Sequence, residues 1–340
     1  MPKTKILIID TPVNFGKTTV FKCTGSLQEW LRSLPDVEVE YDLYADPEKL
    51  SRAQIIWCEP GEYAAVLASQ RRYDDSNCHM WNDQVNRGGP GAVYDWSEAK
   101  LIIRIIDIDA LFRSYRGIKW ENVSWQLFIA PHIERFVREE NGAVWPVSLR
   151  HATIPLGLDT KKWTYRERDT KGNGRIAYCS ELWNGKQVGL AIQAFAELVR
   201  ATDRHWSLHV LGRSTGERTW LDPYTKHILK DLGISDLVTF TETVDDMDGW
   251  LESMDYSISA SAKEAFSLVT AEAAAKGMKP LTHNWEGARD FWPDSMVWTS
   301  VSEFVTKMQE PIDSKANRAA AMKYDFDTVI KPKLEKIIFG

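Results

Sequence analysis

The chain has 340 residues, 44% of them hydrophobic and 26% charged, the proportions of a soluble globular protein with room for two domains that each bury their own core. No apolar run approaches a membrane span, which excludes an integral membrane protein, and a formal net charge of −6 gives no global attraction to nucleic acid or an anionic membrane. Cys23, Cys58, Cys78 and Cys179 are scattered, with neither a CxxC pair nor a metal-ligand spacing, so reduced thiols and no metal site are expected. The opening MPKTKILIID leads straight into a strand and fits no signal peptide, which points to a cytoplasmic protein. Fifteen Trp is a high count. Most are expected in the core or at a domain interface, while exposed ones would suit sugar or base stacking.

In chain order, Lys5 to Asp10 (KILIID) reads as a buried first strand, followed by the loop TPVNFGKTTVFKCTG and a helix over 26–34. Gly16-Lys17-Thr18 has the look of a phosphate loop, but Thr11 stands where that motif needs its first glycine. Gly16 and Lys17 remain candidates for phosphate contact beside the plainer alternative, a solvated loop. Strand-like segments over 37–43 and 54–58 and a helix over 63–70 come next. The stretch RRYDDSNCHMWNDQVNRGGPGAVYDW is rich in Gly, Asn and Asp, and long irregular loops of this kind are often recognition surfaces.

KLIIRII, over 100–106, is another buried strand and ends at Asp107-Ile108-Asp109. Asp107 or Asp109 either orients a hydroxyl group or caps a helix before Ala110, and the residues leave both open. LFRSYRGIKWENV interleaves Arg113, Tyr115, Arg116, Lys119 and Trp120, which reads as a nucleic-acid contact or a solvated face. WQLFIA and a helix from about Pro131 close the first half, and YRERDTKGNG, to Gly174, reads as a linker. Arg175 to Cys179 opens the second domain, and strands are expected at Ser207 to Leu211 and Leu237 to Phe240. A helix is expected from Trp250 to Met254, capped by Asp245, Asp246 and Asp248.

The most informative stretch is MDYSISASAKEAFSLVTAEAAAKGMKPLTHNWEGARD, from Met254 to Asp290. A short strand over 256–259, a turn through Ser261 and Lys263 and a helix to about Lys276 set Glu264 where the chain leaves the strand. Glu272 falls about two turns into the helix. Both border a helix N-terminus, whose unpaired N–H groups and positive dipole suit a phosphate. Open α/β sheets bind ligands at this place, beyond the carboxyl ends of their strands.

The ordered set Glu264, Phe266, Glu272, Ala273, Ala275, Gly277, Pro280 and Gly287 resembles the Glu-x7-Glu signature of family 4 retaining glycosyltransferases. HATIPLGLDTKKW resembles that family's crossover through Ile154, Pro155, Gly157, Asp159 and Trp163. The resemblance implies an α/β GT-B fold, two Rossmann-like domains facing across a cleft. The N-terminal, acceptor-side domain would span 1–155, with C-terminal helices over about 318–340 crossing back onto it. The nucleotide-sugar-binding domain would span 156–317. Glu264 would meet hydroxyls of the donor sugar and Glu272 the nucleotide ribose. Lys186, with Ala194 and Phe195, fits the family's Arg-x4-Lys-Gly motif, whose cations neutralise the leaving diphosphate.

The chain also departs from that pattern. Glycine commonly follows the phenylalanine, and here Ser267 does. Glu181 occupies the arginine position, where a carboxylate would repel a diphosphate. Arg213 is the first candidate to replace the missing cation, ahead of Lys263 and Lys17. The amides of Phe266, Ser267 and Leu268 would join Lys186 around the diphosphate, Val244 would contact the base, and Gly16 and Lys17 would lie near the phosphates. Asp107 takes the place of an acceptor-facing histidine often found in related transferases.

The activity implied is hexosyl or pentosyl transfer with retention, from a nucleotide sugar to a hydroxyl acceptor, without a metal or other cofactor. A glycan or small molecule is the first acceptor class. A hydroxymethylated base in DNA is the second, suggested by the arginines and aromatics between Arg71 and Trp120. A non-catalytic nucleotide-sugar binder and a sugar-nucleotide epimerase are the alternatives from other classes.

Overall fold

The computed structural model describes residues 2–10, 13–15, 18–20, 25–59, 64–74, 76–77, 80–81, 91–106, 114–141, 146, 148–182, 184–212 and 221–340. The chain divides into two compact units, 1–157 together with 326–340, and 158–325. Each is built on a six-stranded sheet, and all of the strand pairs within the two sheets are parallel.

In the first unit the strands are β1 (Thr4–Ile9), β2 (Val37–Asp42), β3 (Ile55–Cys58), β4 (Lys100–Ile105), β5 (Trp125–Phe128) and β6 (His151–Thr153), in the order β6-β5-β4-β3-β1-β2. The near-continuous apolar runs of β1, β3 and β4 are what a sheet covered on both faces requires. One face buries Ile6, Ile8, Ile102 and Leu127 with Trp30 and Leu31 of the helix Gly25–Ser33 and with Phe326, Leu334, Ile337 and Ile338 from the end of the chain. Part of the loop expected after β1 is instead an antiparallel pair, Val13–Phe15 with Thr18–Val20.

The chain returns to the first unit at Phe326, later than its sequence suggests. The helix Ser314–Met322 is held in the second unit because its polar side chains cap the neighbouring chain turn. Ser314 Oγ donates to the Gly277 carbonyl at 2.8 Å and Asn317 Nδ2 to the Met278 carbonyl at 2.8 Å. At the return, Gly157 packs directly on Phe326: a Cβ there would lie 3.2 Å from the Phe326 Cα and 2.6 Å from its ring, which explains the crossover glycine. Four aromatics of the 71–120 region are core residues. Tyr73, Trp81, Trp96 and Trp120 are buried, and the indole N–H groups of Trp81 and Trp96 donate to the Ala45 and Ala68 carbonyls, both at 2.8 Å. These four rings are not a base-stacking surface.

The second unit contains β7 (Arg175–Cys179), β8 (Ser207–Leu211), β9 (Val238–Thr241), β10 (Tyr256–Ser259), β11 (Lys279–His283) and β12 (Val297–Trp298), in the order β9-β8-β7-β10-β11-β12. The chain therefore builds outward from β7 to β9, then returns past β7 to begin again at β10. The helix expected over 250–254 instead spans Met247–Glu252, because the Asp246 side chain accepts from the Gly249 amide and starts it earlier. Asp248 caps nothing there. It pairs with Lys276 and accepts from the Thr164 amide at 2.9 Å.

A partly buried charge network ties the segment after the crossover to β10. The Arg168 side chain is fully buried and donates to Asp255 Oδ1 at 3.1 Å and Glu252 Oε2 at 3.3 Å. Arg166 pairs with Glu252 at 2.6 Å and Asp255 at 3.1 Å, and Lys276 meets Glu252 at 3.3 Å. Removing one partner from such a cluster strands a buried charge. Asp255→Ala is expected to cost about 3–5 kcal/mol of unfolding free energy, measured by urea denaturation.

Lys279 is a buried cation spent on backbone. Its Nζ donates to the carbonyls of Lys307 and Glu310, at the end of the helix Val301–Gln309. Burial, only partly offset by Glu310, lowers its pKa to about 8. An unfolded lysine holds its proton to about pH 10.4. Between those values the unfolded state binds more protons, and the Lys279 contribution to stability rises with pH. The stability of wild type relative to Lys279→Met is therefore expected to increase from pH 8 to pH 10 in parallel denaturant titrations.

Candidate functional site

The switch in strand order leaves the loops after β7 and β10 diverging from neighbouring strand ends, the place where open α/β sheets bind ligands. The loop after β7 leads to the helix Val188–Ala201, and the loop after β10 leads to the helix Leu268–Ala275. The two loops are joined by a hydrogen bond from the Ala262 amide to the Gly185 carbonyl at 2.9 Å, and Tyr178 Oη donates to the Lys186 carbonyl at 2.8 Å. That bonding brings Lys186 and Glu264, far apart in sequence, into an ion pair at 2.5 Å, with side chains 24% and 17% exposed.

Glu272 sits in the second turn of the Leu268 helix. Burial pushes the Cys179 thiol well up from its usual range and the Glu272 charge adds to that effect, which places this carboxylate near the end of β7. The Tyr178 hydroxyl is also pushed up, by burial first and by the Glu264 carboxylate as a lesser contributor. Both carboxylates of the Glu-x7-Glu pair thus act on the last two residues of β7.

The two helices that flank the crevice begin alike. Gln187 (φ 51°, ψ 50°) precedes the Val188 helix and Ser267 (φ 65°, ψ 78°) precedes the Leu268 helix, both in the left-handed conformation. A left-handed residue followed by right-handed helical ones turns successive N–H groups into an anion-binding concavity, at a cost of roughly 1–2 kcal/mol per non-glycine residue. This conformation gives a physical reason for the glycines of the two motifs: glycine follows the lysine and the phenylalanine where the backbone turns left-handed. Gln187 was not singled out by its sequence, although its signal was there, a non-glycine in the Lys-Gly slot.

Phe266 lies in an aromatic cluster, with ring centroids 4.8 Å from Tyr324, 5.3 Å from Phe291 and 5.5 Å from Trp292. Trp292 Nε1 donates to its carbonyl at 3.2 Å. Its side chain is core, so of its groups the backbone amide is the one left for a ligand. Ser267 is buried, its Oγ 2.7 Å from Thr270 Oγ1, and Leu268 is half-buried on the first helical turn. Glu181 follows the end of β7 and is half-buried. Val244 lies between β9 and the Met247 helix, beyond β8 from β7. Gly16, Lys17, Asp107 and Arg213 lie outside the described residues.

The first unit holds a second polar feature that the sequence reading passed over. Arg104 and Glu59 form a bidentate pair, at 2.6 Å and 3.1 Å, with both side chains almost wholly buried, and Trp57 Nε1 donates to the same carboxylate at 2.7 Å. Burial raises the Glu59 pKa, with Arg104 opposing. An arginine inside the apolar run KLIIRII was the available signal. Among the described residues no group of His, Cys, Asp and Glu is arranged to hold a metal ion, and no helix is long and apolar enough to cross a membrane.

Residues 173–312, which lie in the second unit, match the family model described as glycosyl transferases group 1. The whole chain has the GT-B fold, two Rossmann-like units each on a parallel six-stranded sheet. It superimposes on HepE of Anabaena with a TM-score of 0.70 at 15% identity, over 98% of this chain and 99% of that one. The lipopolysaccharide outer core galactosyltransferase WaaB is similar at a TM-score of 0.68 and 12% identity, over 99% of both chains. A glycosyltransferase from Rickettsia africae gives 0.66 at 12% identity, over 98% of both. A comparison with curated proteins gives no match.

Glycine at position 187 would relieve the left-handed strain but add freedom to the unfolded chain. Gln187→Gly is expected to raise stability by roughly 0.5–1 kcal/mol, whereas Gln187→Ala, which keeps the Cβ, gives no such gain; paired urea melts check this.

Proposed function

We propose that the protein is a retaining glycosyltransferase that takes a nucleoside-diphosphate sugar in the second unit and passes the sugar to a hydroxyl acceptor. The observation that carries this reading is the Lys186–Glu264 pair at the strand switch point, inside the stretch that matches group 1 glycosyl transferases. The solved structures of HepE include one with UDP and glucose and one with UDP-glucose, which makes a UDP-sugar the first donor to test.

In this reading Glu264 accepts from hydroxyls of the donor sugar and Glu272 from those of the ribose. Lys186 and the amides at the starts of the two helices stabilise charge on the diphosphate as it leaves. The bond from the anomeric carbon to the phosphate oxygen breaks while the acceptor oxygen bonds to the same face of that carbon. The acceptor proton passes to the departing phosphate, so no side-chain base is required. The lysine and the amides take the role of a divalent cation, and transfer proceeds without metal. The acceptor is a glycan or small hydroxyl compound received by the first unit, with Asp107 orienting the reacting hydroxyl.

The test is a thermal-shift panel of nucleotide sugars and nucleoside diphosphates, with and without EDTA. A donor at about a hundred times its dissociation constant adds roughly 2.7 kcal/mol of stability. One nucleotide sugar is expected to stabilise the wild type with EDTA present and to lose most of that effect in Glu272→Ala. Lys186→Ala and Glu264→Ala are each expected to abolish sugar transfer while melting as folded proteins. No stabilisation by any nucleotide sugar, or activity retained in both variants, overturns the reading.

A further inference from the structure

The ion pair that marks the site also occupies it. Lys186 is the cation offered to a diphosphate, and here its ammonium lies 2.5 Å from the Glu264 carboxylate, with both groups largely out of solvent. Its backbone is pinned by Tyr178 Oη on its own carbonyl and by the Ala262 amide on the carbonyl of Gly185, so the lysine cannot swing away as a unit with its loop. A phosphate that draws Lys186 off leaves a mostly buried carboxylate without its partner, and an unpaired buried charge is costly.

We infer that the Lys186–Glu264 pair is an internal competitor that makes tight binding depend on the sugar. A nucleotide sugar supplies a phosphate to Lys186 and hydroxyl donors to Glu264 together, so both charges stay satisfied. A nucleoside diphosphate supplies only the first and must break the pair without replacing it. The same pair discriminates against free diphosphate before the reaction and re-forms to expel it afterwards. This inference rests on the donor reading given above.

The experiment is a double-mutant cycle on binding, with UDP and UDP-glucose as probes, or the matching pair for whichever base the thermal panel selects. Titration calorimetry is run on wild type, Glu264→Gln, Lys186→Met and the double variant, each first shown to unfold cooperatively. In Glu264→Gln, UDP is expected to bind about tenfold more tightly, while UDP-glucose gains nothing, so the preference for the sugar collapses. In the Lys186→Met background the same Glu264→Gln change is expected to leave UDP affinity unchanged. Equal tightening in both backgrounds would mean that Glu264 merely repels phosphate, and an unchanged or weaker UDP affinity in Glu264→Gln would mean that the pair does not compete; either overturns the inference while leaving the donor reading intact. Failure of all nucleotide sugars to bind the wild type would remove the donor reading and this inference with it.

Discussion

The site depends on one topological constraint, the order of the strands in the second sheet. Because the chain lays down β7, β8 and β9 to one side and then restarts at β10 on the other, the connections leaving β7 and β10 run in opposite directions. The sheet cannot close the space between them, and each connection delivers a helix N-terminus to its rim. Lys186 and Glu264 lie in the loops that lead to those helices, and the order of strands with the Ala262–Gly185 hydrogen bond between the loops makes them neighbours.

What surrounds the crevice is built to hold it still. Below the Glu264 loop, the Phe266 ring is locked among Phe291, Trp292 and Tyr324, and Gly277 ends the Leu268 helix in a left-handed turn that a side chain could not share with the Arg166 carbonyl, 2.5 Å from where its Cβ would lie. The Arg166, Arg168, Glu252, Asp255 and Lys276 cluster anchors the start of β10 and the far end of that same helix. Left-handed Gln187 and Ser267 persist where the surrounding structure over-determines the backbone, and such strain collects at ligand sites.

How much of this could be read from the chain follows from the range of each interaction. β8 was legible to the residue, since a run of apolar β-formers between polar turns is a local signal. The Glu-x7-Glu stretch was legible because one strand, one turn and one helix carry it. Arg168 with Asp255 and Glu59 with Arg104 were not, because each joins residues distant in sequence and nothing local marks a charge as buried. The same blindness explains the aromatics between Arg71 and Trp120: composition suggested a stacking surface, and only the fold shows Trp81 and Trp96 turned inward onto backbone carbonyls. The return at Phe326 was displaced for a related reason, since the helix Ser314–Met322 is kept in the second unit by side chains whose acceptors, the carbonyls of Gly277 and Met278, leave no mark in the sequence.

The position of Glu181 bears on how such a site can hold an anion. Around the strand ends the named carboxylates, Glu181, Glu264 and Glu272, outnumber Lys186 and Lys263, and Lys186 is already matched by Glu264. These five side chains therefore offer a diphosphate little net attraction. Two helix starts with left-handed leading residues offer something else: amide donors that carry partial positive charge, do not titrate and cannot be neutralised by a neighbouring carboxylate. If the donor reading holds, these amides carry the diphosphate and Lys186 adds to them only once a sugar has taken its place against Glu264. The left-handed backbone at Gln187 and Ser267 would then be retained, in spite of its cost without glycine, because it aims the groups on which phosphate recognition falls when the arginine is missing.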